Sequence, residues 1–362
     1  MMLLLLTVLL VALAFEYING FHDTANSIAM GVSTKALTPR MAIAIAATTN
    51  LAGALVGTAV AKTITKGLVD AQFVTTTTII TALLGAIIWN LITWWLGLPS
   101  SSSHALVGGL CGATLASSGG NWGAIIWAKG GGTHWWDNTG ILYKVVAPML
   151  ISPVLGFFGG LFVMSLLYVL LRKWRPATVT RSFKMLQMFS GSYMGFSHGS
   201  NDAQKTMGII ALALAAAVKA GTLDQVPGWL EFLRHPMVLA GDGKEVIAPW
   251  IKVLCAVVMA AGTSAGGWRI IRTMGQKMVK VLPVNGFAAD FTAATVLMSA
   301  AHFGMPVSTT HAVTTSIMGV GCAKRFNALK FSVVQRILWA WVLTLPLTAL
   351  LGYLLMEAAK LF

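Results

Sequence analysis

The stretch that decides the fold is PSSSSH, residues 99–104, which ends an apolar run and recurs as PVSTTH at residues 306–311. In both copies a proline, which has no N–H to donate, interrupts a helical pattern and is followed by hydroxyl side chains. A new apolar run begins after each copy. We therefore expect each hexapeptide to form the tip of a re-entrant helical hairpin, since broken backbone inside a membrane must be buried in protein.

Apolar runs of membrane-spanning length occupy much of the chain. Of its 362 residues, 56% are hydrophobic and 10% are charged, and the mean hydropathy is +0.77. A soluble protein with so large a core would need more polar surface than 25 basic and 11 acidic side chains can provide. We predict an all-α polytopic membrane protein of about 10–12 transmembrane segments. Its main apolar runs are 2–18, 41–61, 78–98, 145–171, 250–268 and 331–355.

The charge distribution predicts the orientation. Segments 172–184, 269–280 and 324–336 carry Lys and Arg but no acid, so the positive-inside rule places them in the cytoplasm. Counting spans outward from 172–184 then leaves both termini outside. The net charge of +14 reflects this bias, and we expect no nucleic-acid partner. Three cysteines in apolar surroundings, without ligand spacing, suggest neither a disulfide framework nor a thiolate metal site.

A second pair of motifs indicates an internal duplication. NGFHDTANSIA at 19–29 and HGSNDAQKTMGI at 198–209 align Asp23 with Asp202 and Asn26 with Lys205. The hexapeptides lie further apart, which a charged, Pro- and Gly-containing insertion at 218–249 accounts for. We predict a first repeat at 1–143, a connecting span and basic loop at 144–184, a second repeat at 185–330 and a C-terminal span at 331–362. The first repeat starts outside and the second inside, so their topologies are inverted, as in many secondary transporters.

The paired acids predict a cation or proton site. An ionised carboxylate at membrane depth costs at least about 2.5 kcal/mol, so it needs a partner, water or an ion. Oxygens of Asn26, Asn201 and Gln204 lie near Asp23 and Asp202 in sequence. The alternative is a structural ion pair, for example between Asp202 and Lys205. Glu16 and Asp290 lack symmetric counterparts, and for them functional and structural roles stay equally open.

The hydroxyl groups of the hexapeptides predict an anion site. Unpaired N–H groups at a helix start, together with Ser and Thr donors, suit a tetrahedral oxyanion such as phosphate or sulfate. The alternative is that these hydroxyls only satisfy broken backbone and let helices approach closely. His104 and His311 could bind the anion, relay protons or orient the hairpins. A Ser–His nucleophile is disfavoured because no third group orients the histidine, so we do not expect an enzyme.

The motifs GFHDTANSIA, GSNDAQKTMGII, PSSSSHALVGG and PVSTTHAVTTSIMGVG together resemble the inorganic phosphate transporter (PiT) family, and their wording is similar to the bacterial low-affinity permeases. The resemblance extends from Glu16 to Met356. It implies a multi-pass symporter in the bacterial cytoplasmic membrane that takes up phosphate, driven by H⁺ or Na⁺, with phosphate held midway between the repeats. One departure is His22, where many members have Asn. A titratable imidazole there weakens a sodium site and favours proton coupling or uptake of a neutral metal–phosphate complex.

These expectations assign three groups of residues. The coupling ion is expected at Asp23, Asn26, Asn201 and Asp202, with Na⁺ held by Asp23 and Asp202 if sodium is coupled. Phosphate is expected at Ser101, Ser102, Ser103, Ser308, Thr309, Thr310 and Gln204. Candidates for a proton relay are His22, Glu16, His104, His311 and Asp290. A sulfate permease and an anion channel stay open as alternatives, no cofactor is expected, and lipid contact and a homo-oligomer fit a membrane transporter.

Overall fold

The computed structural model describes residues 2–361 apart from residues 225, 242, 244, 326 and 327. Twelve α-helices make up most of the described residues. They are α1 (Met2–Ser33), α2 (Pro39–Ala54), α3 (Ala59–Lys66), α4 (Thr76–Leu96), α5 (Ser102–Ser117), α6 (Ala147–Leu170), α7 (Pro176–Lys219), α8 (Pro249–Ala265), α9 (Trp268–Arg272), α10 (Pro283–His302), α11 (Thr309–Cys322) and α12 (Phe331–Ala359).

Short elements fill the connections. Single π-helical turns precede α6 and follow α9, at Leu142–Val146 and Thr273–Lys277. The predicted insertion 218–249, of which residues 225, 242 and 244 lie outside the described part, contains a 3₁₀ helix at Gly228–Arg234. It also contains an antiparallel hairpin of β1 (Met237–Leu239) and β2 (Glu245–Ile247). The exposed Glu245 forms a 2.5 Å ion pair with Lys66 at the end of α3. The insertion therefore lies against the end of α3.

Several helices are long and apolar enough to cross a membrane. Among the described residues four pass this test by length and composition, and six pass if α2 with α3 and α8 with α9 each form one bent span. Helices α5 and α11, with 16 and 14 residues, fall below the 18-residue minimum of this test. At 1.5 Å per residue they are also too short to cross a core of about 30 Å alone. A polytopic helical protein is confirmed, whereas the count of about 10–12 segments, the repeat boundaries and both outward termini stay predictions.

Large apolar side chains on the outside of the helices support a lipid-facing surface. Phe158 and Phe162 on α6 are 61% and 67% exposed, and Val342 on α12 is 65% exposed. Exposed apolar faces of this size are typical of proteins whose solvent is hydrocarbon. Several glycines instead lie where two helix backbones approach closely, for example Gly160 against Ser316 and Gly199 against Asn50, as expected where close packing replaces a hydrophobic driving force.

The predicted helix breaks at the two hexapeptides are confirmed. Helix α4 ends at Leu96 and is followed by Gly97, whose φ of 65° is in the left-handed region that glycine adopts without strain. Helix α10 ends at His302, and Gly304 after it has a φ of 62°. Pro99 and Pro306 lie in the short connections that follow, before α5 and α11 begin. Each hairpin packs α4 against α5 or α10 against α11.

Two hydrophobic cores meet at the polar motifs. On α1 the first core includes residues up to Phe15 and the second begins at Ala25. On α7 the order is reversed, because Met194 belongs to the second core and Ala203 to the first. Both helices therefore pass from one core into the other, and their acid-bearing motifs lie close to the crossing point.

The contact between α5 and α12 generates a stability prediction. A Cβ atom on Gly112 of α5 would collide with the backbone carbonyl of Ala349 on α12, and a backbone atom cannot move aside as a flexible side chain could. We expect Gly112→Ala to lower the free energy of unfolding in detergent micelles by about 1–3 kcal/mol, the usual cost of overpacking.

The matched control is Gly191→Ala on α7, where a Cβ meets no atom within 4 Å. It should leave the melting temperature unchanged or raise it, because Ala favours helix over Gly. Equal melting temperatures for Gly112→Ala and the unmodified protein would contradict the close α5–α12 packing.

Candidate functional site

The two short helices α5 and α11 start in the same way. Ser101 and Ser308 are their N-cap residues, and each side-chain oxygen accepts a hydrogen bond from a backbone N–H three residues later, that of His104 at 3.1 Å or His311 at 3.2 Å. A serine that caps a helix in this way still has its own hydroxyl proton to donate. The hydroxyl side chains of both hexapeptides are buried. Two helix N-termini with hydroxyl donors therefore lie inside the protein.

Each hairpin contacts the acid of its own half through equivalent atoms. The Ser102 hydroxyl donates to Asp23 Oδ2 at 2.7 Å, and the Thr309 hydroxyl donates to Asp202 Oδ2 at 3.2 Å. Ser102 and Thr309 are the same position of the two hexapeptides. The Thr310 hydroxyl crosses over and donates to Asp23 Oδ1 at 3.5 Å. The structure therefore brings both hydroxyl motifs and both paired acids into one site.

A histidine joins the two acids. Asp23, His198 and Asp202 each offer one ligand atom, and these atoms lie within 4.8 Å of one another. The His198 Nε2 atom is 3.4 Å from Asp202 Oδ2. Two carboxylate oxygens and one imidazole nitrogen suit a hard or borderline cation. This cluster is the candidate cation site.

Lys205 forms the ion pair that the sequence offered as the alternative role for Asp202. Its Nζ atom lies 2.5 Å from Asp202 Oδ1 and 3.2 Å from the carbonyl oxygen of Val307. It also donates to the Ser103 hydroxyl. The lysine is buried, with 1% exposed. Asp202 thus has a fixed positive partner, yet it also lies within the candidate cation site.

In the first half, a chain of hydrogen bonds leads to Asp23, where the second half has the ammonium group of Lys205 beside Asp202. His22 Nδ1 lies 2.7 Å from Asp23 Oδ1 and His22 Nε2 lies 3.2 Å from the Thr93 hydroxyl. Ser100 donates to the same threonine oxygen at 2.8 Å. These hydrogen bonds therefore connect the tip of the first hairpin to Asp23 through His22.

The amide side chains of the predicted site have different surroundings. Asn26 donates to the Thr309 and Thr310 hydroxyls at 3.2 and 3.1 Å, so it lies in the site. Asn201 donates to the Met305 carbonyl at 3.4 Å, at the edge of the second hairpin. Gln204 Oε1 accepts the backbone N–H of Val60 at 2.9 Å. The Gln204 amide is thus used at the start of α3, and its place in a phosphate site stays a prediction.

The remaining candidates for a proton relay lie in three separate places. The rings of His104 and His311 face each other at 4.8 Å in an edge-to-face arrangement, and their ring nitrogens have no hydrogen-bond partner among the described residues. Glu16 accepts a hydrogen bond from Thr206 on α7. Asp290 is buried, and neither carboxylate oxygen has a hydrogen-bond partner in the described part of the chain. Of the five relay candidates, all of which are described residues, only His22 contacts a paired acid directly.

Sequence reasoning assigned no site role to His198 and named Lys205 only as a structural partner. Helical spacing could have identified both, because residues four before and three after Asp202 lie on the same face of α7 as that acid. The site as built holds two carboxylates, one ammonium group and two imidazoles around buried hydroxyls. Such a site can hold an anion beside a cation, since each compensates the other's charge out of water.

Comparison with known proteins gives a family match. The model of the phosphate transporter family matches residues 19–179 and 171–352. A relative from Bacillus subtilis (strain 168), described as a probable low-affinity inorganic phosphate transporter, is 41% identical over 354 residues, covering 97% of this chain and 96% of the relative. A relative of the same description from Mycobacterium tuberculosis (strain ATCC 25618 / H37Rv) is 42% identical over 349 residues, covering 96% and 76%.

A solved structure shares the fold. It is titled the sodium-dependent phosphate transporter, and it aligns with a TM-score of 0.77 and 24% sequence identity over 99% of both chains. At this identity the likeness shows the fold alone. Because the match covers 99% of both chains, the fold as a whole is one already seen in another protein.

The helix starts generate a second prediction. We expect Ser101→Ala and Ser308→Ala each to lower the free energy of unfolding in micelles by about 1 kcal/mol, because the capping oxygen is lost. The matched variants Ser101→Gly and Ser308→Gly should cost only a few tenths of a kcal/mol, since glycine is tolerated at this position. Thermal unfolding of the purified protein measures the difference. Equal losses for the Ala and Gly variants would contradict the capping role.

Proposed function

Because the chain belongs to the phosphate transporter family, we propose that it imports inorganic phosphate by symport with a cation, H⁺ or Na⁺, through alternating access. The observation that carries the proposal is the equivalent pair of contacts, Ser102 to Asp23 and Thr309 to Asp202, at the starts of two buried helices. An anion site and a cation site that share hydroxyl groups would bind their ligands together, and joint binding is what coupling requires. The two sites then act as one transport site.

The hydroxyl motifs are proposed to hold phosphate. Six hydroxyl groups, those of Ser101, Ser102, Ser103, Ser308, Thr309 and Thr310, are buried around two helix N-termini. Helix N-termini present N–H groups and a partial positive charge, which favour a tetrahedral oxyanion. These donors do not distinguish phosphate from sulfate, so sulfate is the second candidate substrate. Gln204 would join this set only if its amide left the start of α3.

The paired acids are proposed to hold the coupling cation. Asp23 and Asp202, with Asn26 and Asn201 nearby, supply the hard oxygen ligands that Na⁺ or a proton would use. His198 adds a nitrogen ligand, and an imidazole nitrogen favours a borderline divalent metal over Na⁺. Uptake of a neutral metal–phosphate complex is therefore a variant of the proposal. His22, Glu16, His104, His311 and Asp290 stay proposals for moving protons.

Charge compensation provides the physical reason for coupling. Phosphate alone would be placed beside two buried carboxylates, of which only Asp202 has a fixed cation, Lys205, as partner, and like charges in a low-dielectric site repel strongly. A cation bound between Asp23 and Asp202 removes this repulsion, so each ligand raises the affinity of the other. That reciprocity is what links the two binding steps thermodynamically.

Alternating access is proposed to use the two hydrophobic cores. Helices α1 and α7 pass between the cores near their acids, and rocking one core against the other around this point would expose the site first to one side and then to the other. The proposed setting is a bacterial cytoplasmic membrane, with lipid around the exposed apolar faces. Neither an enzymatic step nor a cofactor enters this mechanism, and assembly of identical chains is compatible with it.

Charge removal at the paired acids tests the cation site. We expect Asp23→Asn and Asp202→Asn each to reduce phosphate uptake by proteoliposomes to the level of empty liposomes, because the cation loses a charged ligand. The matched control is Asp70→Asn, which alters an acid in an exposed contact with Gln72 and should transport normally. Size-exclusion profiles check that the variants are folded. Near-normal uptake by both site variants would refute the assignment.

Counterflow of labelled phosphate under imposed gradients tests the whole proposal. Proteoliposomes loaded with unlabelled phosphate should accumulate the label, and a proton or sodium gradient alone should drive uptake into empty ones. Excess sulfate in the outer medium identifies which oxyanion is preferred. Uptake that never exceeds the passive equilibrium under either gradient would indicate an anion channel instead.

A further inference from the structure

The two halves of the site differ by one positive charge. With a spacing of 179 residues, Asn19 aligns with His198, His22 with Asn201, Asp23 with Asp202 and Asn26 with Lys205. The first two pairs exchange an amide for an imidazole, and the third is identical. Only the fourth pair sets a neutral side chain against a permanent cation. Lys205 is therefore the residue that gives the two halves of the site different charges.

The ammonium group of Lys205 has the surroundings of a bound cation. Its three oxygen neighbours are a carboxylate oxygen of Asp202, the hydroxyl of Ser103 and the backbone carbonyl of Val307. Carboxylate, hydroxyl and carbonyl oxygens are the ligands that hard cations prefer. A lysine ammonium group has three N–H donors, so these three oxygens use all of them. No donor is then left over for phosphate unless one contact is broken.

The equivalent place in the other half holds no fixed cation. Asn26 donates its amide protons to Thr309 and Thr310, and Asp23 is contacted by His22 and by the Ser102 and Thr310 hydroxyls. None of these contacts is a permanently charged cation, so the charge of Asp23 is available to a mobile cation, which His198 and Asp202 would also contact. The charge of Asp202 is already balanced by Lys205.

We propose that the Lys205 ammonium group permanently fills one of two equivalent cation positions, so that the transporter carries one Na⁺ fewer per cycle than it would with Asn there. The inference rests on the proposed function, because it assigns a specificity-determining residue to that same site. The inference also explains how the Lys205 ammonium group can lie beside the hydroxyl motif without binding the anion. The lysine sets the number of coupled cations.

The test replaces Lys205 with its counterpart in the first half. In Lys205→Asn we expect equilibrium binding of radioactive ²²Na⁺ to the purified protein to rise by one ion per chain. The number of charges carried per phosphate, measured from the reversal potential in proteoliposomes, should rise by one as well. Lys205→Arg keeps a fixed positive charge beside Asp202, so it should bind no additional ²²Na⁺.

The matched control is Lys144→Asn. Lys144 also points its ammonium group at backbone carbonyls, those of Trp136 and Phe303 at 2.7 and 3.0 Å, but outside the site. Removing it should change neither the sodium count nor the charge per phosphate. If Lys205→Asn binds no additional ²²Na⁺ while its size-exclusion profile shows a folded protein, the inference is wrong.

If Lys205→Asn proves unfolded, a second variant, Lys205→Gln, repeats the sodium measurement with a longer neutral amide. An extra bound ion supports the inference, and an unchanged count overturns it. Sodium binding is measured without phosphate and without transport. Failure to carry phosphate would therefore refute the proposed function, while the sodium-binding measurement would still decide the role of Lys205.

Discussion

Two carboxylates buried within one membrane protein are the constraint on which the rest of this structure depends. Asp23 and Asp202 are 1% and 0% exposed, and a charge buried in this way persists only with partners. Each acid accepts a hydrogen bond from a hydroxyl group at the start of a short helix, Ser102 of α5 or Thr309 of α11. The two acids have different additional partners, a histidine for Asp23 and a lysine for Asp202. The broken helices and the crossing of α1 and α7 between two cores bring these partners together.

The broken helices follow from this constraint because an unbroken helix has no free N–H groups in its interior. Ending α4 at Leu96 and restarting the chain at Ser102 creates a helix N-terminus beside Asp23, and the break before Thr309 does the same beside Asp202. Exposed to lipid, such a break would leave unpaired backbone in hydrocarbon. Packing of α5 and α11 against α4, α12, α6 and α10 keeps this backbone away from lipid, and it also removes bulk water from the proposed ion sites.

The sequence predicted the features that depend on local chemistry. Pro99 and Pro306 located the helix breaks, and Ser101 and Ser308 have the capping geometry that hydroxyl residues favour. The pairing of Asp23 with Asp202 came from repeat spacing. Gln204 was harder, because its amide is used at the break between α2 and α3, where residues 55–58 contain no proline and the single Thr58 does not repeat elsewhere as the hexapeptides do. His198 lies one helical turn before Asp202, so helical spacing could have placed it beside that acid. Its closeness to Asp23 depends on α1 lying beside α7, which no local pattern encodes.

The charge difference between the two halves affects the return step of the proposed cycle, in which the empty transporter reorients. With Lys205 charged, the empty site carries the charge of two carboxylates less one ammonium group, which leaves a single negative charge when the histidines are neutral. Adding one monovalent cation and one monovalent phosphate leaves that charge unchanged. The loaded and empty transporters would then face the same electrostatic cost of reorienting within the membrane, whose potential acts on every net charge that moves. With a neutral residue at position 205, the empty site would carry two negative charges and would reorient at a higher electrostatic cost, and only a second carried cation would bring the loaded site to a single negative charge. One fixed lysine thus allows two equivalent halves to operate with a single coupled cation.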